Sequence, residues 1–225
     1  MRPSFLVLAC LPALSLSAAQ GPSLDAQVDR ELPSLVATYK TLHAAPELSH
    51  HEDKTAALLA GLLRGFGYDV TEHVGKYPKP EWQGHGIVAV MKNGAGPTVL
   101  LRTELDALPV DEKTGLPYAS KVKTKNDAGQ EVSVMHACGH DIHITNMLGT
   151  AKLLSELKDQ WRGTLMLIGQ PAEETVNGAR AMLADGLYTR FPKPDFVLAL
   201  HDSSDVEAGK ITFYPGYAMA SAEPI

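Results

Sequence analysis

Cysteine is nearly missing from this sequence: 225 residues contain two, Cys10 and Cys138. A multi-bridge disulfide framework is therefore excluded. If Cys10 lies in a removed leader, Cys138 has no internal partner. Its thiol is then either a small buried side chain or a functional group. Positive charge is also scarce. Twenty Lys and Arg stand against 26 Asp and Glu, a formal charge of −6. With no basic stripe, nothing in the chain suits nucleic acid, and the mild acidity names no partner. There is no internal repeat and no low-complexity tract. There is no G-x-S-x-G, which argues against a serine hydrolase on an α/β sheet.

Long apolar runs are missing too, with one short exception at the start. Arg2 precedes an apolar stretch over residues 5–16, broken by Pro12 and followed by small residues at Ser17 and Ala19. This pattern reads as a secretory signal peptide, residues 1–19, cleaved before Gln20. The stretch is too short to span a membrane comfortably. Residues 20–225 are thus expected as a periplasmic or secreted protein with no stable membrane anchor.

Helical spacing covers 24–42, where Pro33 marks either a start or a kink, and again 52–64, closed by Gly65 and Gly67. A strand is predicted at 68–71. Two more follow at 87–91 and 98–102, around a Gly-Pro turn. Residues 110–134 are polar and turn-rich, a long loop or an edge hairpin. A helix begins near Asp141, with Ile144, Met147, Leu148, Ala151 and Leu154 on one face. Then come a strand at 164–169, a helix in "TVNGARAMLADG" with Gly186 as its C-cap, and a strand at 195–200. Continuous apolar strands alternating with helices imply an α/β fold, a mainly parallel sheet with helices on both faces.

Ligands of such sheets bind beyond the carboxyl ends of the strands. Glu104 and Asp106 follow strand 98–102, Glu173 and Glu174 follow 164–169, and His201 follows 195–200. Cys138 and His140, in "MHACGHDIH", precede a helix that packs on the same sheet. Each motif alone is ordinary, since an "EE" pair is usually solvated and a histidine at a strand end is usually structural. Their joint placement on one rim is not ordinary. It predicts a metal site with Cys138, His140, Glu174 and His201 as ligands and Glu104 and Asp106 close by. Thiolate, imidazole and carboxylate together suit a divalent ion such as zinc or manganese. The helix beginning near Asp141 is expected to help ionise the Cys138 thiol. A structural zinc site is disfavoured, because only one candidate cysteine is present. His136 and His143 are assigned supporting roles around the ligands. His43, His50, His51, His73 and His85 are expected mostly at the surface.

Adjacent carboxylates in "QPAEE" divide naturally into one metal ligand and one proton carrier. Water on such a metal has a pKa near about 7. A carboxylate beside it can take its proton and pass it to a leaving amine. That is the chemistry of metal-assisted amide hydrolysis.

Taken in order, "LHAAPELSHHE", "LRTELDALPV", "MHACGHDIH", "GQPAEE" and "LALHD" resemble the co-catalytic metal amidohydrolases of the aminoacylase and carboxypeptidase type. Within that family the pattern looks most like hippurate hydrolases and indole-acetyl-amino-acid hydrolases. The resemblance implies a two-ion site held by Cys138, His140, Glu174 and His201. It implies Glu173 as general base and later acid, and Asp106 as an orienting aspartate at the centre. The implied substrates are N-acyl amino acids or related peptides, and complete members are implied to be homodimers. Two departures stand out. "RTELD" puts Glu104 where the family has an aspartate. The family's chains are also about twice as long, so residues 20–225 are expected to be a partial catalytic domain. The lid or dimerisation domain, which follows a strand like "KITFYPGYAMASAE", and one more metal-binding histidine would lie beyond it. The competing reading is an exported, non-catalytic metal-binding protein, separable by turnover of an N-acyl amino acid.

Overall fold

The computed structural model describes residues 22–213 and 215–216. The predicted signal peptide and most of "KITFYPGYAMASAE" lie outside the described residues. Residues 210–213 of that segment form no strand.

The chain begins with α1 (Leu24–Ala44), whose N-terminus is capped by Ser23 accepting the Ala26 amide. The helix continues uninterrupted through Pro33, which offers no N–H to it. Next come α2 (Asp53–Gly65), β1 (Asp69–Val74), β2 (Gly86–Asn93) and β3 (Thr98–Glu104). The polar stretch 110–134 contains a two-stranded hairpin of β4 (Lys123–Lys125) and β5 (Glu131–Ser133). Then follow α3 (His140–Glu156), β6 (Gly163–Gln170), α4 (Gly178–Ala184), α5 (Leu187–Arg190) and β7 (Phe196–Ala199).

Five strands form one sheet in the order β1-β2-β6-β3-β7. β3 pairs parallel with β6 and with β7, while β2 pairs antiparallel with β1 and β6. Four strands therefore run one way and β2 alone runs the other, as a mainly parallel sheet should.

Side chains of successive strand residues point to opposite faces, and each face has its own core. On one, Ile87, Ala89, Leu165 and Leu167 meet Leu59 and Leu63 of α2 and Ile144 and Leu148 of α3. On the other, Val88, Leu100, Met166 and Ile168 meet Met182 of α4 and Leu187 of α5. Central β6 is covered on both sides, which is why "TLMLIG" is apolar without alternation. The run at 195–200 promised the same for β7. Instead Phe196, Val197 and Leu198 are exposed. β7 is the sheet's edge, and the described residues place no helix over it.

Three histidines assigned to the surface are in fact buried: His43, His50 and His85. Each has a polar partner distant in sequence. His43 lies between Asp141, at 2.7 Å, and Glu112, at 3.1 Å. His50 lies between Asp127 and Asn177, and His85 contacts the His50 carbonyl. His51 and His73 are exposed as expected.

Candidate metal centre

The carboxyl ends of β3, β6 and β7 share one edge of the sheet because these strands are parallel. Glu104 ends β3 and Asp106 follows it. Glu173 and Glu174 sit in the turn after β6, His201 stands two residues beyond β7, and α3 starts at the same edge with His140. The residues expected on one rim are thus brought together.

His140 is buried, and its Nδ1 donates to the Asp106 carbonyl at 2.8 Å. That bond leaves Nε2 as the ring atom nearest the two glutamates. Nε2 stands 3.9 Å from Glu173 Oε2 and 3.9 Å from Glu174 Oε1. Cys138 Sγ lies 3.4 Å from His201 Nε2, and His201 Nδ1 faces the Asp202 carbonyl at 2.7 Å. The donors of Cys138, His140 and His201 lie within 4.8 Å of one another, and so do those of His140, Glu173 and Glu174. His140 belongs to both clusters. Two further clusters at the same spacing are Glu104–His140–His143 and His143–His201–Asp202.

These donors fit a divalent ion. Two ligands bound at roughly 2.0–2.3 Å stand at most about 4.6 Å apart, close to the spacing found. Buried polar atoms normally have partners, yet His140 Nε2, Glu174 Oε1 and Asp106 Oδ1 have none among the described residues. A cation satisfies the first two directly.

Asp106 Oδ2 accepts the Ser49 hydroxyl at 2.6 Å and the Glu174 amide at 3.0 Å. Burial alone would raise the Asp106 carboxyl. The neighbouring His140 ring, 3.5 Å from Oδ1, and the hydrogen bonds from Ser49 and Glu174 outweigh it and hold the group below its ordinary value. Burial would lower His140, but the adjoining Asp106 charge prevails and pushes it up to about 9. Glu174 is raised by burial, eased by His140 but reinforced by Asp106 and Glu173. Cys138 departs from expectation. Burial, then Glu174, Glu173 and Asp202, push its thiol up to about 12. The helix N-terminus does not overcome three carboxylates, so ionising this thiol calls for a stronger positive charge than a helix supplies.

His143, assigned a supporting role, lies beside these clusters. Its Nδ1 donates to Glu104 at 3.0 Å, and its Nε2 accepts the Asp202 amide at 3.0 Å. Burial raises Glu104, but the bond from His143 and the charge of Arg102 bring it below its ordinary value. His136 is buried and held neutral, lowered to about 3 by desolvation, and touches no ligand by hydrogen bond. Sequence reasoning missed Ser49 and Asp202. Asp202 directly follows His201, and Ser49 sits in the polar run "ELSHHE", just ahead of the helix predicted at 52–64.

The family model for Peptidase family M20/M25/M40 matches residues 100–220. The chain belongs to that family. It is 40% identical over 183 residues to a hippurate hydrolase of Campylobacter jejuni, covering 81% of this chain and 43% of the relative. It is 36% identical over 190 residues to an N-acetyl-L-cysteine deacetylase of Bacillus subtilis, covering 84% and 41%. A solved structure, the Bacillus subtilis YXEP protein, is described as a dinuclear metal binding peptidase of the M20 family. It superposes with a TM-score of 0.64 at 32% identity, over 81% of this chain and 45% of that one. This M20 chain spans somewhat under half the length of the relatives it matches.

Proposed function

We propose that this chain carries the metal and proton-transfer centre of an amidohydrolase. Its substrates are N-acyl amino acids or related small peptide amides, split into a carboxylic acid and an amine. The observation that carries this reading is the buried Nε2 of His140, without a hydrogen-bond partner among the described residues and 3.9 Å from both Glu173 and Glu174. Cys138, His140, Glu174 and His201 would hold the metal, zinc or manganese, with two ions in a complete site. When bound, such an ion polarises an amide carbonyl and makes water a stronger acid.

The two glutamates differ in a way that supports separate roles. The Glu174 side chain is 18% exposed and has a buried oxygen without a partner among the described residues, while that of Glu173 is 38% exposed. Both reach the His140 donor, but Glu174 is the more enclosed and suits a ligand, while Glu173 is the more open to an arriving substrate. Glu173 takes a proton from the water that adds to the amide carbon. It then delivers that proton to the nitrogen as the C–N bond breaks. Asp106 orients the centre. Its carbonyl fixes the His140 tautomer, and its carboxylate holds the Glu174 backbone.

Glu173→Gln in the full-length enzyme should cut kcat by about 10²–10⁴-fold while metal content is unchanged. Glu174→Gln should lose metal as well. Metal analysis beside turnover of N-acetyl and N-benzoyl amino acids decides it, and equal metal loss in both variants would refute the division.

From the N-terminal pattern alone, Arg2 before an apolar stretch over residues 5–16 and the small residues Ser17 and Ala19, we also propose that the protein is exported with residues 1–19 removed. N-terminal sequencing of protein from its host should begin near Gln20. An intact Met1 on cytoplasmic material would exclude export.

A further inference from the structure

We propose that Glu52 is a positioning residue for the turn that presents Glu173 and Glu174, acting as a neutral hydrogen-bond acceptor. Its effect on catalysis rests on the proposed function; the positioning does not.

Glu52 is completely buried at the N-cap of α2, yet its side chain caps nothing. Glu47 does that work, its carboxylate accepting the Lys54 amide at 3.2 Å and the Thr55 amide at 2.7 Å. Glu52 is thereby free to reach elsewhere. Its Oε1 accepts the Ala172 amide at 2.7 Å, across 120 positions of sequence.

The turn it reaches is strained. Ala172 has φ 46° and Val176 φ 56°, both left-handed conformations that residues with a Cβ rarely adopt. Such conformations persist only where surrounding contacts enforce them. Here the Ala172 carbonyl accepts the Gly178 amide at 3.1 Å, and the Glu173 carbonyl accepts the Val176 amide at 2.8 Å. Position 178 must be glycine, since a Cβ there would overlap the Pro171 carbonyl. Two buried carboxyl groups hold the turn, Glu52 at Ala172 and Asp106 at Glu174. Glu173 stands between the two pinned amides. Losing either pin frees both glutamates at once.

The second oxygen of Glu52 is buried without a partner among the described residues. An ionised carboxylate would be costly in that position. Burial, reinforced by the Asp106 charge, accordingly pushes the Glu52 carboxyl up to about 8. The acceptor at Oε1 does not require the charge, so an amide side chain should serve as well.

The test uses the full-length protein with Glu52→Gln and Glu52→Met. Glutamine keeps the acceptor, while methionine fills similar volume without one. Hydrogen exchange over residues 170–176 should be unchanged in Glu52→Gln. In Glu52→Met it should be at least tenfold faster there, with β2 and β6 still protected. Zinc affinity should follow the same order, and kcat should fall more than KM rises. Wild-type exchange in Glu52→Met would overturn the proposal, as would a Glu52→Gln as damaged as Glu52→Met. If Glu52→Met does not fold, Glu52→Gln decides alone: unchanged exchange and zinc affinity support the proposal, and loss of either refutes it. If the wild type hydrolyses no amide, the functional reading fails while the exchange result still tests the positioning.

Discussion

Glu52 and Asp106 are buried carboxyl groups beneath the same turn, and they settle their proximity in opposite ways. Asp106 is met by the Ser49 hydroxyl, the Glu174 amide and His140, and it stays ionised below its ordinary value. For Glu52, desolvation and the Asp106 charge outweigh its backbone hydrogen bonds, the Ala172 amide foremost, and it keeps its proton. The linkage signs differ accordingly. A Glu52 that titrates near 4.5 when unfolded and about 8 when folded adds stability fully present below pH 4.5. That stability is lost as pH rises through about 8. Asp106, depressed from 3.8, adds stability present above that value and lost on acidification. Glu52→Gln cannot titrate, so the wild type should lose stability relative to it between about pH 5 and pH 8.5. Urea unfolding across that range measures this, and a constant difference would show that Glu52 does not change protonation. None of this is visible in "PELSHHE". A glutamate before a helix reads as a capping or surface residue, and only the fold brings Ala172 to it. His43, His50 and His85 escaped for the same reason. Polar side chains look solvent-facing until partners distant in sequence bury them.

At the scale of elements, the apolar pattern located nearly every strand and helix, because burial on one face or two leaves different periodicities. Strand direction leaves no such mark, so the reversal of β2 could not be read from "GIVAVMKN". The exposure of β7 was hidden too, because an apolar run does not say whether its strand is central or at an edge. The rim was readable because parallel strands put their carboxyl ends together, whatever their order. The start of α3 adds a constraint of its own. Gly139 is its N-cap at φ 75°, between Cys138 and His140. A Cβ at this position would run into the Asp202 carboxylate. Gly139→Ala should therefore cost about 1–2 kcal/mol from the left-handed backbone, beyond the displacement of Asp202. It should weaken metal binding roughly 10–100-fold, as loss of an outer support does. Zinc titration with circular dichroism checks this. Unchanged affinity in a folded variant would mean that the Cys138–His140 spacing tolerates another backbone.

Across the whole molecule, the proposed ligands come from widely separated parts of the chain. Cys138 stands just before α3 and His140 opens it, Glu174 follows β6, and His201 follows β7. In the unfolded chain these donors are dispersed, so an ion that needs them together binds the folded state alone. Such binding stabilises by mass action, about 2.7 kcal/mol at a free ion concentration 100 times the dissociation constant. It also neutralises a rim where Glu104, Asp106, Glu173, Glu174 and Asp202 crowd together. Added zinc or manganese should therefore raise the melting temperature in a concentration-dependent way, and a chelator should reverse the rise. Glu174→Gln should shrink the increment because it removes a ligand. Glu173→Gln should leave it nearly intact because it removes only the proton carrier. Calorimetry at several ion concentrations separates these outcomes. A melting temperature indifferent to both ion and chelator would mean that the donors gather without binding, and the proposed amidohydrolase would lose its centre.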